Sequence, residues 1–189
     1  AQIVLASGSQ LFVSSATTVI TNGGIIATNA SITNNGIIEN KGNLTNNSSG
    51  LYASSSSGTF VFNGSSAQEI TGTSDVNFYG TVEIDNTNGI SLTSTLTGSN
   101  QTINGTLTFT NGLLTLNTFD LTIGTVDPTG AGSSRYIKTN STGSLTRNVP
   151  ADGSTNVIYP VGNTTYNPLI LQNSATATSD NYNVRVQDN

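Results

Sequence analysis

Residues 24–47 divide into four consecutive six-residue units, GIIATN (24–29), ASITNN (30–35), GIIENK (36–41) and GNLTNN (42–47). Their third positions are Ile26, Ile32, Ile38 and Leu44, with Ile20 six residues before the series and Leu51 seven after it. An α-helix places apolar residues three and four apart, and a long half-buried strand alternates them. A period of six fits one short strand plus one corner, repeated. Three such sides close a coil of 18 residues. In that register Ile20 stacks on Ile38, Ile26 on Leu44, Asn22 on Asn40 and Asn29 on Asn47. Stacked corner amides then hydrogen-bond along a ladder, as they do in cross-β stacks.

From about Gly58 the unit lengthens. Thr81-Val82-Glu83-Ile84 returns as Thr106-Leu107-Thr108-Phe109 after 25 residues. Ile90-Ser91-Leu92 returns as Leu114-Thr115-Leu116 after 24, and Leu96 as Leu121 after 25. Phe60 and Phe62 precede Val82 and Ile84 by 22. Self-similarity at this period, carried on short strands, is the signature of a solenoid. An antiparallel β-sandwich with Gly-rich turns gives no reason for in-register hexads.

The expected fold is therefore all-β. A right-handed parallel β-helix (β-solenoid) of about six coils fills residues 1–125, right-handed because parallel crossovers overwhelmingly turn that way. A boundary falls in TVDPTGAGS (125–133), where Pro128, Gly130 and Gly132 break the pattern. Longer strand candidates follow at 135–139, 144–149, 156–161, 168–173 and 182–187. They predict a small antiparallel β-sandwich-like domain over 126–189, cut short at its C-terminal end.

Composition narrows the chemistry. Thr, Asn, Ser and Gly supply 100 of the 189 residues. Charged residues are 8%, against about 25% in ordinary soluble proteins. Uncharged hydroxyls and amides suit stacked strands, where like charges directly opposite one another repel. All of the net charge of −5 lies in residues 1–125, which hold six acidic residues and one basic residue. Cys, His, Met and Trp are absent. That excludes disulfides, thiolate or imidazole metal sites, and Cys–His or Ser–His–Asp machinery. No cofactor is expected. Five scattered basic residues argue against nucleic acid as a partner. No apolar run approaches the roughly 18 residues of a membrane span, so no membrane insertion is expected. The Ala1-Gln2 start is of the kind signal peptidase leaves, which predicts an extracellular or cell-surface chain exported with a cleaved signal peptide.

Few residues qualify for chemistry. Glu83 and Asp85 share one strand face about 7 Å apart, within the range of glycosidase carboxylates. The apolar residues between and before them point inward, so the pair belongs to a solvated outer face, with a calcium site including Asn86 as the alternative. The runs Thr93/Thr95/Thr97 and Thr106/Thr108/Thr110 raise ice binding, but β-propensity explains Thr in strands. One coil earlier Glu83 and Asp85 replace Thr108 and Thr110, which breaks the array. Arg135, Arg147 and Arg185 raise an anionic sugar, against plain surface solvation. Tyr136, Tyr159, Tyr166 and Tyr182 are read first as packing residues. The nine Asn-x-Ser/Thr sequons, from Asn29 to Asn163, are expected by chance in this composition.

The stretch GTFVFNGSSAQEITG (58–72) followed by VNFYGTVEIDNTNGISLTSTLTGSNQTINGTLTFTNGLLTLNTFDLTIG (76–124) resembles a recurrent module of large secreted surface proteins of Bacteroidota. So does the tail RYIKTNSTGSLTRNV…VIYPVG…YNPLIL…YNVRV. The resemblance covers about residues 58–189. It implies a β-helix followed by a β-sandwich-like segment, export by the type IX secretion route, and kinship with adhesins. Its motifs are structural and carry over no catalytic residues. The family's C-terminal sorting domain has no counterpart here, and the chain ends directly after a strand where family members run on.

The expected function is that of a non-catalytic extracellular structural protein: an adhesin stalk or the repeating subunit of a cell-surface filament. The alternatives are a polysaccharide-binding or polysaccharide-degrading β-helix and an ice-binding protein. Expected partners are copies of itself or neighbouring domains of a longer chain, with surface glycans as a further class. The expected assembly residues are Ile3, Val4, Leu5, Leu11, Phe12 and Val13, because residues 1–38 carry no charged side chain and an uncharged, apolar strand edge invites pairing. That segment either caps its own first coil or adds to a neighbour's edge, and the second is expected.

Overall fold

The computed structural model describes residues 1–93 and 100–188. Every regular element among them is a β-strand, and the chain winds them into about seven turns of a three-faced solenoid. The first turn holds β1 (Ile3–Leu5), β2 (Gln10–Val13) and β3 (Thr18–Thr21), and the second β4 (Ile25–Thr28), β5 (Ser31–Asn34) and β6 (Ile37–Asn40). The third holds β7 (Leu44–Asn47), a single bridge from Tyr52 to Ile32, and β8 (Thr59–Phe62). The fourth is β9 (Gln68–Thr71), β10 (Asn77–Phe78) and β11 (Thr81–Asp85), and the fifth is β12 (Ile90–Leu92), β13 (Asn100–Ile103) and β14 (Leu107–Asn111). The sixth holds β15 (Leu114–Thr115), β16 (Asp120–Ile123) and a bridge from Thr129 to Thr108. The seventh holds β17 (Ile137–Lys138), β18 (Leu145–Val149) and β19 (Val157–Tyr159), followed by β20 (Val161–Gly162), β21 (Leu169–Leu171) and β22 (Asp180–Val184).

The first face is one eight-stranded sheet, β1-β4-β7-β9-β12-β15-β17-β20, with every neighbouring pair parallel. Its ladder runs past residue 125 without interruption. The third face is the parallel sheet β3-β6-β8-β11-β14. The second face begins with β2-β5 and resumes as β10-β13-β16-β18, where β22 adds antiparallel to β18. A second antiparallel pair joins β19 and β21.

The long-period repeats meet as expected. Val82 pairs with Leu107 and Ile84 with Phe109, Ile90 with Leu114, and Phe60 and Phe62 with Val82 and Ile84. Leu96 lies outside the described residues. In the hexad region the register differs by one residue. Ile25 sits on Leu44, Val19 on Ile38, Thr21 on Asn40 and Thr28 on Asn47, a step of 19 rather than 18. The cause is the corner between the third face and the first. It takes three residues (Asn22-Gly23-Gly24, then Lys41-Gly42-Asn43), whereas the other corners of that turn take two (Asn29-Ala30 and Asn35-Gly36). These corners stack backbone on backbone: a Cβ on Gly42 would lie 2.5 Å from Gly24 N. Ile32, Ile38 and Leu44 are therefore core residues as expected, but Ile25 replaces Ile26, and Ile20 is 57% exposed.

The core is a single apolar column. Its widest section is an aromatic cluster of Tyr52, Phe60, Phe62 and Phe78, with ring centroids 4.9–6.4 Å apart. The Tyr52 hydroxyl is buried with no partner. Buried Asn34, Asn40 and Asn46 follow the core residues Ile32, Ile38 and Leu44 by two. Asn34 Oδ1 accepts from Gly36 N at 3.2 Å while its Nδ2 donates to Thr59 O at 3.0 Å. Asn46 does the same with Ser48 N (2.9 Å) and Asp75 O (2.8 Å). Each amide closes its own corner and ties it to the next turn. Hydrogen bonding of this kind is what makes a buried polar group tolerable.

Candidate functional site

The expected assembly residues all lie in the first turn. Alternation along β1 and β2 turns Ile3, Leu5, Leu11 and Val13 toward the core and Val4 and Phe12 away from it. Leu5 and Val13 are buried, Ile3 and Leu11 are half-buried, and Val4 and Phe12 are 64% and 63% exposed. β3 repeats the pattern, with Val19 half-buried and Ile20 exposed. The residues one turn below Ile3, Leu11 and Val19 are Ile25, Ile32 and Ile38, and all three are 0% exposed. Among the described residues nothing lies over the first turn, and β1, β2 and β3 are each the last strand of their sheet. This end of the stack presents three unpaired strand edges around a partly covered apolar core.

The opposite end differs. Val149, Tyr159 and Val161 are all 0% exposed, because residues from Thr165 onward fold over them. Asn167 N donates to Val161 O at 2.9 Å, which occupies the outer edge of β20. The covering strands β21 and β22 carry exposed Leu169, Ile170 and Tyr182.

Arg147 holds that closure in place. It lies on β18 between the core residues Leu145 and Val149 and is only 1% exposed. Its Nη1 donates to the Asp127 carboxylate and to Ile158 O (2.6 Å), and its Nη2 to the carbonyls of Gly124, Thr125 and Val126 at 3.1–3.2 Å. The guanidinium faces no solvent, so it is not a sugar ligand. Arg135 and Arg185 donate to the carbonyls of Thr110 (3.4 Å) and Ser141 (3.3 Å) instead. Tyr136 and Tyr159 are packing residues, as expected. Tyr159 donates to Arg147 O at 3.0 Å, and its burial pushes the phenol pKa up to about 12.

Glu83 and Asp85 sit half-buried on the outer face of β11, as expected. Each accepts a hydrogen bond from the next turn: Thr110 Oγ1 to Glu83 at 2.6 Å and Asn111 Nδ2 to Asp85 at 2.7 Å. A bulge after Ile84 pairs Asp85 with Asn111, not Thr110. Among the described residues no three of His, Cys, Asp and Glu gather closely enough to hold a metal ion.

For the threonine surface, Thr95 and Thr97 lie outside the described residues. Thr106, Thr108 and Thr110 lie beside carboxylates. One in-register column does form on the second face, Thr102–Thr122–Thr146, but its flanking positions are Asn100, Asp120 and Ser144 on one side and Asn104, Gly124 and Asn148 on the other. A single column is not a two-dimensional lattice.

Sequence reasoning missed one concavity, a groove of about 160 Å³ on the outside of the first face. Ser91, Thr115 and Lys138 stand there on successive rungs, with Asn88 beside them. Lys138 makes no ion pair among the described residues. Its lining comes from three turns, so only the repeat register brings it together.

No protein-family model matches the chain, and neither do any curated protein or solved structure.

Proposed function

We propose that this chain is a non-catalytic structural module of an extracellular surface, the stalk of an adhesin or the repeating subunit of a surface filament. The observation that carries the reading is the eight-stranded parallel sheet whose first strand ends on an open, apolar turn. A stack of this kind extends by adding strands, and an open edge is where it does so. Under this reading the winding is right-handed. The pairs β18–β22 and β19–β21 belong to the small antiparallel sandwich-like domain expected over residues 126–189.

Immunogold labelling of intact source cells, together with sedimentation over a concentration series, tests the proposal. The expected result is external label and a sedimentation coefficient that rises with concentration. Label seen only after permeabilisation would contradict it. The Lys138 groove favours a second reading, in which the module binds an acidic glycan. A glycan array that stays blank removes that reading.

A further inference from the structure

We infer that the open first turn of one copy docks on the closing strands of a second copy, head to tail. This rests on the self-assembling reading above and adds the two surfaces and their polarity.

The exposed apolar side chains carry the argument. Eight large hydrophobics are markedly exposed among the described residues. Val4, Phe12 and Ile20 lie on the first turn and Ile37 on the second, while Leu169, Ile170 and Tyr182 lie on β21 and β22. Only Val126 falls between. Exposed apolar surface is thus gathered at the two ends of the stack, with the sides left to Thr, Ser, Asn and the charged residues. Clustered apolar exposure marks contact surfaces, whereas single scattered residues need no explanation.

The two ends are complementary and not alike. The first turn offers three unpaired edges over half-covered Ile3, Leu11 and Val19. The far end offers β21 and β22, edge strands whose second sides are unpaired among the described residues. An edge asks for a strand, and β21 and β22 supply strands. Residues 1–38 and 153–179 contain no charged side chain, so docking the first turn on β21 strips water from no charge in either segment. A two-fold contact between two first turns would leave Leu169, Ile170 and Tyr182 in water. A head-to-tail contact covers both patches at once. Such a contact does not close on itself and generates an open filament.

The absence of cysteine makes the test clean. One population carries Phe12→Cys and the other Ile170→Cys, mixed under assembly conditions with a short bismaleimide. The expected product is the mixed dimer, formed in at least roughly tenfold excess over either homodimer. Predominance of the Phe12→Cys homodimer would overturn the proposal in favour of a two-fold contact. No crosslink in a sample that sediments as an assembly would overturn the head-to-tail geometry and leave the structural function standing. Absence of assembly at every concentration would overturn both. As a second measurement, Phe12→Lys and Ile170→Lys should each weaken assembly by roughly tenfold or more while the far-ultraviolet spectrum stays that of the parent. Assembly unchanged in both would also refute it.

Discussion

Tyr52 occupies the widest part of the core, and its hydroxyl has no hydrogen-bond partner. A phenol in that position keeps the ring's apolar contacts and gives up the hydration of its oxygen. Tyr52→Phe should therefore leave stability unchanged or raise it by up to about 1 kcal/mol, read from urea melts. The same residue sets an alkaline limit. Burial raises the Tyr52 pKa well above 10, and Tyr159 is pushed up to about 12. A group with a raised folded-state pKa contributes its stability below the unfolded value and loses it as pH climbs toward the folded one. The parent should thus lose stability progressively above about pH 10, and Tyr52→Phe should flatten that slope. An identical slope in the two proteins would place the tyrosine elsewhere.

At the scale of the strand and corner, the hexads carried the fold but not its register. Ile32, Ile38 and Leu44 were legible because two-residue corners keep a strict period of six. The step over Ile20 and Ile26 was not, because the corners holding Gly23-Gly24 and Gly42 each take one more residue. A glycine pair at the first corner was the available signal, since a chain passing backbone against backbone has no room for Cβ. The same rule governs Gly36, Gly58, Gly80 and Gly105, each just before a third-face strand. A Cβ on any of the last three would lie 2.0–2.2 Å from the carbonyl oxygen of the glycine one turn below. Ile38→Ala should cost about 2–5 kcal/mol, as for a fully buried aliphatic residue, whereas Ile20→Ala should cost less than about 1. Equal losses in thermal or urea melts would restore the 18-residue register. Arg147 was hidden for a different reason. An arginine on a strand reads as a surface residue, and only the alternation Leu145, Arg147, Val149 hinted that it faces inward. Arg147→Met strands Asp127 and frees three consecutive carbonyls, and should cost about 3 kcal/mol. Arg147→Lys should recover only part of this, since one ammonium cannot span the same acceptors. Full recovery by lysine in urea melts would show that the charge alone matters.

The whole molecule is a stack with unlike ends, and that asymmetry was only half legible. The uncharged first 38 residues pointed to the open end. The closed end depends on Arg147, Asp127 and the return of β22 to β18, contacts 20 to 37 residues apart in the chain that no short repeat encodes. Eight rungs of the first face and one covering layer make a subunit about 40–45 Å tall at about 4.8 Å per rung. Electron diffraction or cryo-microscopy of the assembled protein measures this directly. The account predicts a strong axial spacing near 4.8 Å within a subunit repeat of about 40–45 Å. Contradicting it would be a repeat of twice that height, which two-fold end-to-end packing produces, or isolated particles with no axial order at any concentration.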